Sequence, residues 1–108
     1  MITCNQKVIS QRELVCTSPW SQARGLMIRK RQNVVMIFPQ ERSISLHMFF
    51  VFYPIDVLII NQHHKIIEIK RNFKPFTFWN SSKKGKYVVE LGFSGRYKVG
   101  DELHFFLE

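Results

Sequence analysis

From Asn33 onward the chain is a succession of short β-branched and aromatic runs divided by turn residues, and this limits its fold more than any other feature. Val34-Val35-Met36-Ile37-Phe38 reads as a strand that stops at Pro39. Residues 43–48 alternate with period two, which puts Ile44, Leu46 and Met48 on one face and Ser43, Ser45 and His47 on the other. Residues 55–60 and 66–70 flank a polar Asn-Gln-His-His-Lys connection of hairpin length and form the clearest hairpin in the sequence. After Pro75, the aromatic group Phe76, Phe78 and Trp79 leads into a Ser-Ser-Lys-Lys-Gly loop, followed by strand-like residues 87–91 and 103–107. Residues 2–9 have the mixed texture of an edge strand, and residues 13–16 form a second short one.

One helix signal interrupts this pattern. Ser18 can cap free N–H groups and Pro19 fits the first helical position, after which Trp20, Ala23 and Met27 share a face. Gly25 and the run Arg29-Lys30-Arg31 place the helix end near there, with cations at its negative pole. Six or seven short strands with one short α-helix predict a mainly β, small and mostly antiparallel barrel-like domain. With no repeat and no linker-like tract, residues 1–108 read as a single domain.

Composition removes several classes of function. The chain is 45% hydrophobic with ten Phe, which excludes extensive disorder. Its longest apolar run, residues 48–60, is shorter than the roughly 20 residues of a membrane helix and contains Pro54 and Asp56, so it reads as a core segment and predicts no membrane partner. The start, Met1-Ile2-Thr3-Cys4-Asn5, lacks the apolar stretch of a secretory leader and predicts a cytoplasmic protein. Cys4 and Cys16 then read as reduced thiols, with a Cys4–Cys16 disulfide as the alternative.

Four segments, taken in order, resemble the family called domain of unknown function 192. They are Ala23-Arg24-Gly25-Leu26-Met27, Pro54-Ile55-Asp56-Val57, Tyr87-Val88-Val89-Glu90-Leu91, and the closing Val99-Gly100-Asp101-Glu102-Leu103. The resemblance runs from about Val8 to Phe106 and implies a compact β-rich domain without an assigned biochemical role. The Gly100-Asp101 step further resembles the glycine-aspartate turn of cradle-loop barrels. One departure stands out: where many members carry Trp-Met-Lys-Asn-Thr before Pro-Leu-Asp, this chain reads Met48-Phe49-Phe50-Val51-Phe52-Tyr53 ahead of Pro54.

Within the matching segments, Arg24, Asp56 and Glu90 are charges among apolar neighbours and form the first candidate set. They read as an ion-pair network in which an Arg fork satisfies two acids, or as a pocket in which Arg24 binds an anionic ligand. The second set is basic: Arg29, Lys30 and Arg31; Lys70, Arg71 and Lys74; Lys83, Lys84 and Lys86. Interleaved with Phe73, Phe76, Phe78 and Trp79, these would suit nucleic acid if they met on one face, and otherwise describe a solvated basic surface. His63 and His64 share a hairpin tip, while His47 and His104 read as strand histidines, so no metal site is predicted. No nucleophile elbow, phosphate loop or paired Cys and His appears, and no cofactor is implied. The sequence therefore predicts a monomeric module that binds a small ligand or a protein. Nucleic-acid binding is the second reading, and an enzyme centred on Asp56 or Glu90 the third.

Overall fold

The computed structural model describes residues 1–18, 22, 30–48, 50–93 and 95–107. Eight strands follow one another: β1 (Ile2–Cys4), β2 (Lys7–Ser10), β3 (Glu13–Cys16), β4 (Asn33–His47), β5 (Ile55–Ile60), β6 (Ile66–Phe73), β7 (Phe78–Leu91) and β8 (Leu103–Phe105). They form a three-stranded sheet in the order β2-β1-β8 and a five-stranded sheet in the order β3-β4-β7-β5-β6. All pairings are antiparallel except β3 with β4. The mainly β expectation holds, but the strands make two separate sheets rather than a closed barrel. The larger sheet ends at β3 and β6 without pairing them to each other. The expected helix falls on residues outside the described ones apart from Gln22, whose N–H donates to the Ser18 carbonyl at 3.0 Å.

Apolar residues on both faces of the central strands explain why the large sheet is covered twice. On one face Val35, Leu58, Val89 and Leu91 pack with Ile2, Cys4, Tyr97 and Leu103 from the small sheet and its approach. On the other, Val34, Val57, Ile59 and Val88 pack with Met48, Val51, Tyr53 and Phe73. Cys16 belongs to this second face and Cys4 to the first; both are buried, and no disulfide joins them.

Several strand boundaries differ from those the sequence suggests. Residues 2–9 are split by a turn at Asn5 and Gln6, whose φ values of 52° and 66° are those of a tight hairpin. Pro39 does not end its strand. It lies within β4 where the pairing with β7 is irregular, between Ile37 and Arg42, so its missing N–H interrupts no ladder bond. The Ser-Ser-Lys-Lys-Gly stretch is not a loop either, because it continues β7 alongside residues 42–45 of β4. A Cβ on Gly85 would lie 2.4 Å from Ile59 Cγ2, so a glycine is needed where β7 presses on β5. The run 48–60 is only partly core: Met48, Val51, Tyr53 and Ile55 are buried, while Phe50 and Phe52 are exposed.

Candidate functional site

Register places the two candidate acids. In the β5–β7 pair Asp56 lies opposite Leu91 and Val57 opposite Glu90. Neighbouring positions on a strand point to opposite faces, so Asp56 shares the Leu91 face and Glu90 shares the face of Val57 and Val34. The structure therefore does not bring Asp56 and Glu90 together. Arg24, the expected third member, lies outside the described residues.

Asp56 is anchored. Its Oδ1 accepts the Asn72 N–H at 2.9 Å, and its Oδ2 accepts the Tyr97 hydroxyl and Arg71 Nη1, the latter at 3.4 Å. Arg71 also donates from Nη2 to the Tyr97 carbonyl at 2.6 Å, and its guanidinium carbon sits 4.6 Å from the centre of the Tyr97 ring. Burial, followed by the hydrogen bond to Asp56, pushes the Tyr97 hydroxyl well above its ordinary range, so it stays a donor. Half of the Arg71 side chain remains exposed while that of Asp56 is largely covered, leaving the guanidinium as the accessible member of the pair.

Two recesses adjoin this cluster. One, of about 140 Å³, is lined by Arg31, Asp56, Asn72 and Gly92. Arg31 crosses Gly92, donating from Nη1 to its carbonyl at 3.0 Å, and stacks 5.2 Å from the Tyr53 ring centre. A Cβ on Gly92 would stand 2.9 Å from Arg31 Cγ and 2.7 Å from the Gln32 carbonyl, so this position must stay bare for Arg31 to lie there. The other recess, of about 400 Å³, is lined by Arg71, Arg96 and Lys98 with Tyr97, Asn5 and Asp101. The Asp101 carboxylate is engaged by the Lys98 N–H at 2.9 Å and the Cys4 thiol at 3.3 Å. Burial and this contact push the thiol up to about 11.

Glu90 is the opposite case. It is 4% exposed, its Oε1 has no hydrogen-bond partner, and burial alone raises its carboxyl to about 7.

The described basic residues are spread over several elements. Arg29 lies outside the described residues, whereas Lys30 and Arg31 sit beside Tyr53 and Gly92. Lys70 pairs with Val57, Arg71 serves Asp56, and Lys74 is exposed beyond β6. Lys83, Lys84 and Lys86 belong to β7, roughly 20–30 Å along the strand from Gly92 at about 3.3 Å per residue. Glu68 reaches this stretch, accepting the Ser82 and Lys83 N–H groups at 2.9 and 3.1 Å. Of the aromatics, Phe73 and Trp79 pack inward with ring centres 6.5 Å apart, while Phe76 and Phe78 are exposed. His64 is not a free turn residue but packs edge-on against Tyr87 and Phe105. Among the described residues no group of three His, Cys, Asp or Glu is placed to hold a metal, and no helix is long and apolar enough to cross a membrane.

Two covered faces of one open sheet, with a basic recess at the end of β5, define a small mainly β domain. The chain belongs to the DUF192 family, described as "Uncharacterized ACR", whose model matches residues 3–105. It is similar to a UPF0127 protein of Thermococcus sibiricus, with 27% identity over 94% of this chain and 71% of that protein. UPF0127 proteins of Thermococcus kodakarensis and Pyrococcus furiosus match at 31% and 33% identity over 62% and 61% of this chain. The matches span only 45% and 59% of those two proteins.

Two crystal structures share the fold. One, of a Sinorhizobium meliloti protein described as a proposed transcription regulator, has a TM-score of 0.74, 24% identity and coverage of 85% of this chain and 79% of its own. The other, a Novosphingobium aromaticivorans protein of unknown function, has a TM-score of 0.78 and 19% identity, covering 87% and 74%.

Proposed function

We propose that this domain is a binding module that takes a small anionic ligand, such as a phosphate or carboxylate compound, in the basic recess around Arg71. The observation that carries this reading is the ratio of charges there: Arg71, Arg96 and Lys98 surround a recess to which Asp101 contributes the one carboxylate. Asp56 and the Tyr97 carbonyl use one N–H on each terminal nitrogen of Arg71, so the remaining donors of its fork are left for a ligand. Arg31 stands at the neighbouring recess as a second cation. The Asp56 and Tyr97 contacts hold the fork in one orientation, which lowers the cost of ordering it on binding.

Thermal unfolding of the full chain with inorganic phosphate, citrate or a nucleoside monophosphate tests this reading. The midpoint is expected to rise with ligand concentration, less at high salt, and the rise is expected to vanish in Arg71→Ala. Equal midpoints with and without every anion would remove it. Nucleic-acid binding is less well supported, because Lys83, Lys84 and Lys86 on β7 line neither the Arg71 recess nor the Arg31 recess. Binding to single-stranded RNA that survives Arg71→Ala and is lost in Lys83→Ala with Lys84→Ala would restore that alternative.

A further inference from the structure

The two loops at residues 48–54 and 73–78 present an aromatic tip with no role in the recess. Phe50, Phe52 and Phe76 are 52%, 66% and 52% exposed. Their rings form one patch, with Phe76 edge-on to Phe50 at 6.3 Å and to Phe52 at 5.7 Å. Backbone hydrogen bonds tie the two loops together. The carbonyl of buried Met48 accepts the N–H groups of Phe76 at 2.8 Å and Val51 at 3.3 Å, and the Met48 N–H donates to the Thr77 carbonyl at 2.9 Å.

Phe50 and Phe76 also adopt left-handed backbone conformations, with φ of 58° and 61°. Asn or Gly suits such positions better than a bulky aromatic residue, and strain of this kind collects where a side chain is wanted for function.

We propose that this tip docks the protein on the surface of an anionic phospholipid bilayer, with the three Phe rings entering the interface. Size and charge select this occupant. At about 200 Å² for a whole Phe side chain, the three exposed fractions amount to roughly 350 Å², under half of the roughly 800 Å² per partner in a stable dimer. Shallow insertion needs only such a small apolar tip backed by positive charge. Residues 50–54 and 74–78 contain no acid and include Lys74, within a chain of net charge +8. Arg31 lies close behind, in the recess that Pro54 also lines. A basic chain is drawn to an anionic leaflet at low salt.

Co-sedimentation of the full chain with vesicles of phosphatidylcholine alone, or mixed equally with phosphatidylglycerol, tests the proposal. The protein is expected on the mixed vesicles, with weaker binding at high salt and little on phosphatidylcholine. The double variant Phe50→Asn, Phe76→Asn is expected to bind at least about tenfold more weakly while melting no lower than the parent, since Asn accepts the same backbone. Phe52→Ser, at a position without left-handed backbone, is expected to weaken binding in the same direction. No binding to mixed vesicles, or equal binding by these variants, overturns the proposal. A dimer seen by analytical ultracentrifugation and lost in the double variant would assign the tip to a second copy instead. Because Arg71→Ala leaves the tip intact, failure of the recess reading and failure of this one are separable.

Discussion

Asp56 and Glu90 stand one register step apart on adjoining strands, yet the sheet gives them opposite surroundings. Asp56 at the end of β5 accepts hydrogen bonds from Asn72, Tyr97 and Arg71 and borders water. Glu90 in the middle strand β7 lies between Val34 and Val57, with its Oε1 unpartnered. The same residue chemistry is thus a structural anchor in one place and a buried liability in the other. Alternation along a strand, rather than distance in sequence, makes the difference.

The two acids should therefore respond to loss of charge with opposite signs. For Glu90, burial raises the folded carboxyl from 4.5 to about 7, so between these values the folded state holds a proton that the unfolded state has released. Stability then falls as pH rises through this window, by up to about 3 kcal/mol at about 1.4 kcal/mol per pH unit. Glu90→Gln should recover most of this at pH 8 and change little at pH 4, as urea melts at the two pH values would show. Asp56→Asn should do the reverse, destabilising by about 1–3 kcal/mol at neutral pH because it weakens charge-assisted hydrogen bonds to Arg71 and Tyr97. An Asp56→Asn chain that melts like the parent would reduce the anchor to a surface contact. Tyr97→Phe should cost about 1 kcal/mol by removing one donor to Asp56, and should weaken anion binding more than its effect on the melt suggests. Smallest of all, Phe76→Asn should stabilise by up to about 1 kcal/mol through relief of its left-handed backbone. A fall in its melting temperature would show that the Phe76 ring holds the fold rather than serving the tip.

The mainly β class was legible in runs that keep their pattern, such as the β5–β6 hairpin and the alternation of Ile44, Leu46 and Met48, and the family in the resemblance of four segments between Ala23 and Leu103. The sequence reading missed the length of β4 and β7, because Pro39 and the Ser-Ser-Lys-Lys-Gly stretch have the chemistry of breaks yet lie where two long strands extend together beyond the main pairing. It grouped Asp56 and Glu90 with Arg24 as one network or one pocket, whereas the two acids face opposite sides of the sheet, because cross-strand register cannot be read from one strand's period. Tyr97, Arg96 and Lys98 escaped notice because nothing local marks them. Tyr97 meets Arg71 and Asp56, and Arg96 and Lys98 come to line the recess, only when the chain after β7 returns to β5 and β6. Arg31 was seen as part of a charge run, whereas Gly92, sixty-one residues later, gives it a seat.

The most direct test of this contrast is a pH titration of the Glu90 side-chain carboxyl followed by carbon-13 NMR in the folded protein. A midpoint near 7 is expected for this buried acid, whose Oε1 has no hydrogen-bond partner among the described residues. A midpoint at or below the ordinary value of about 4.3 would show instead that a cation, Arg24 foremost, closes on Glu90 and that both acids are anchors.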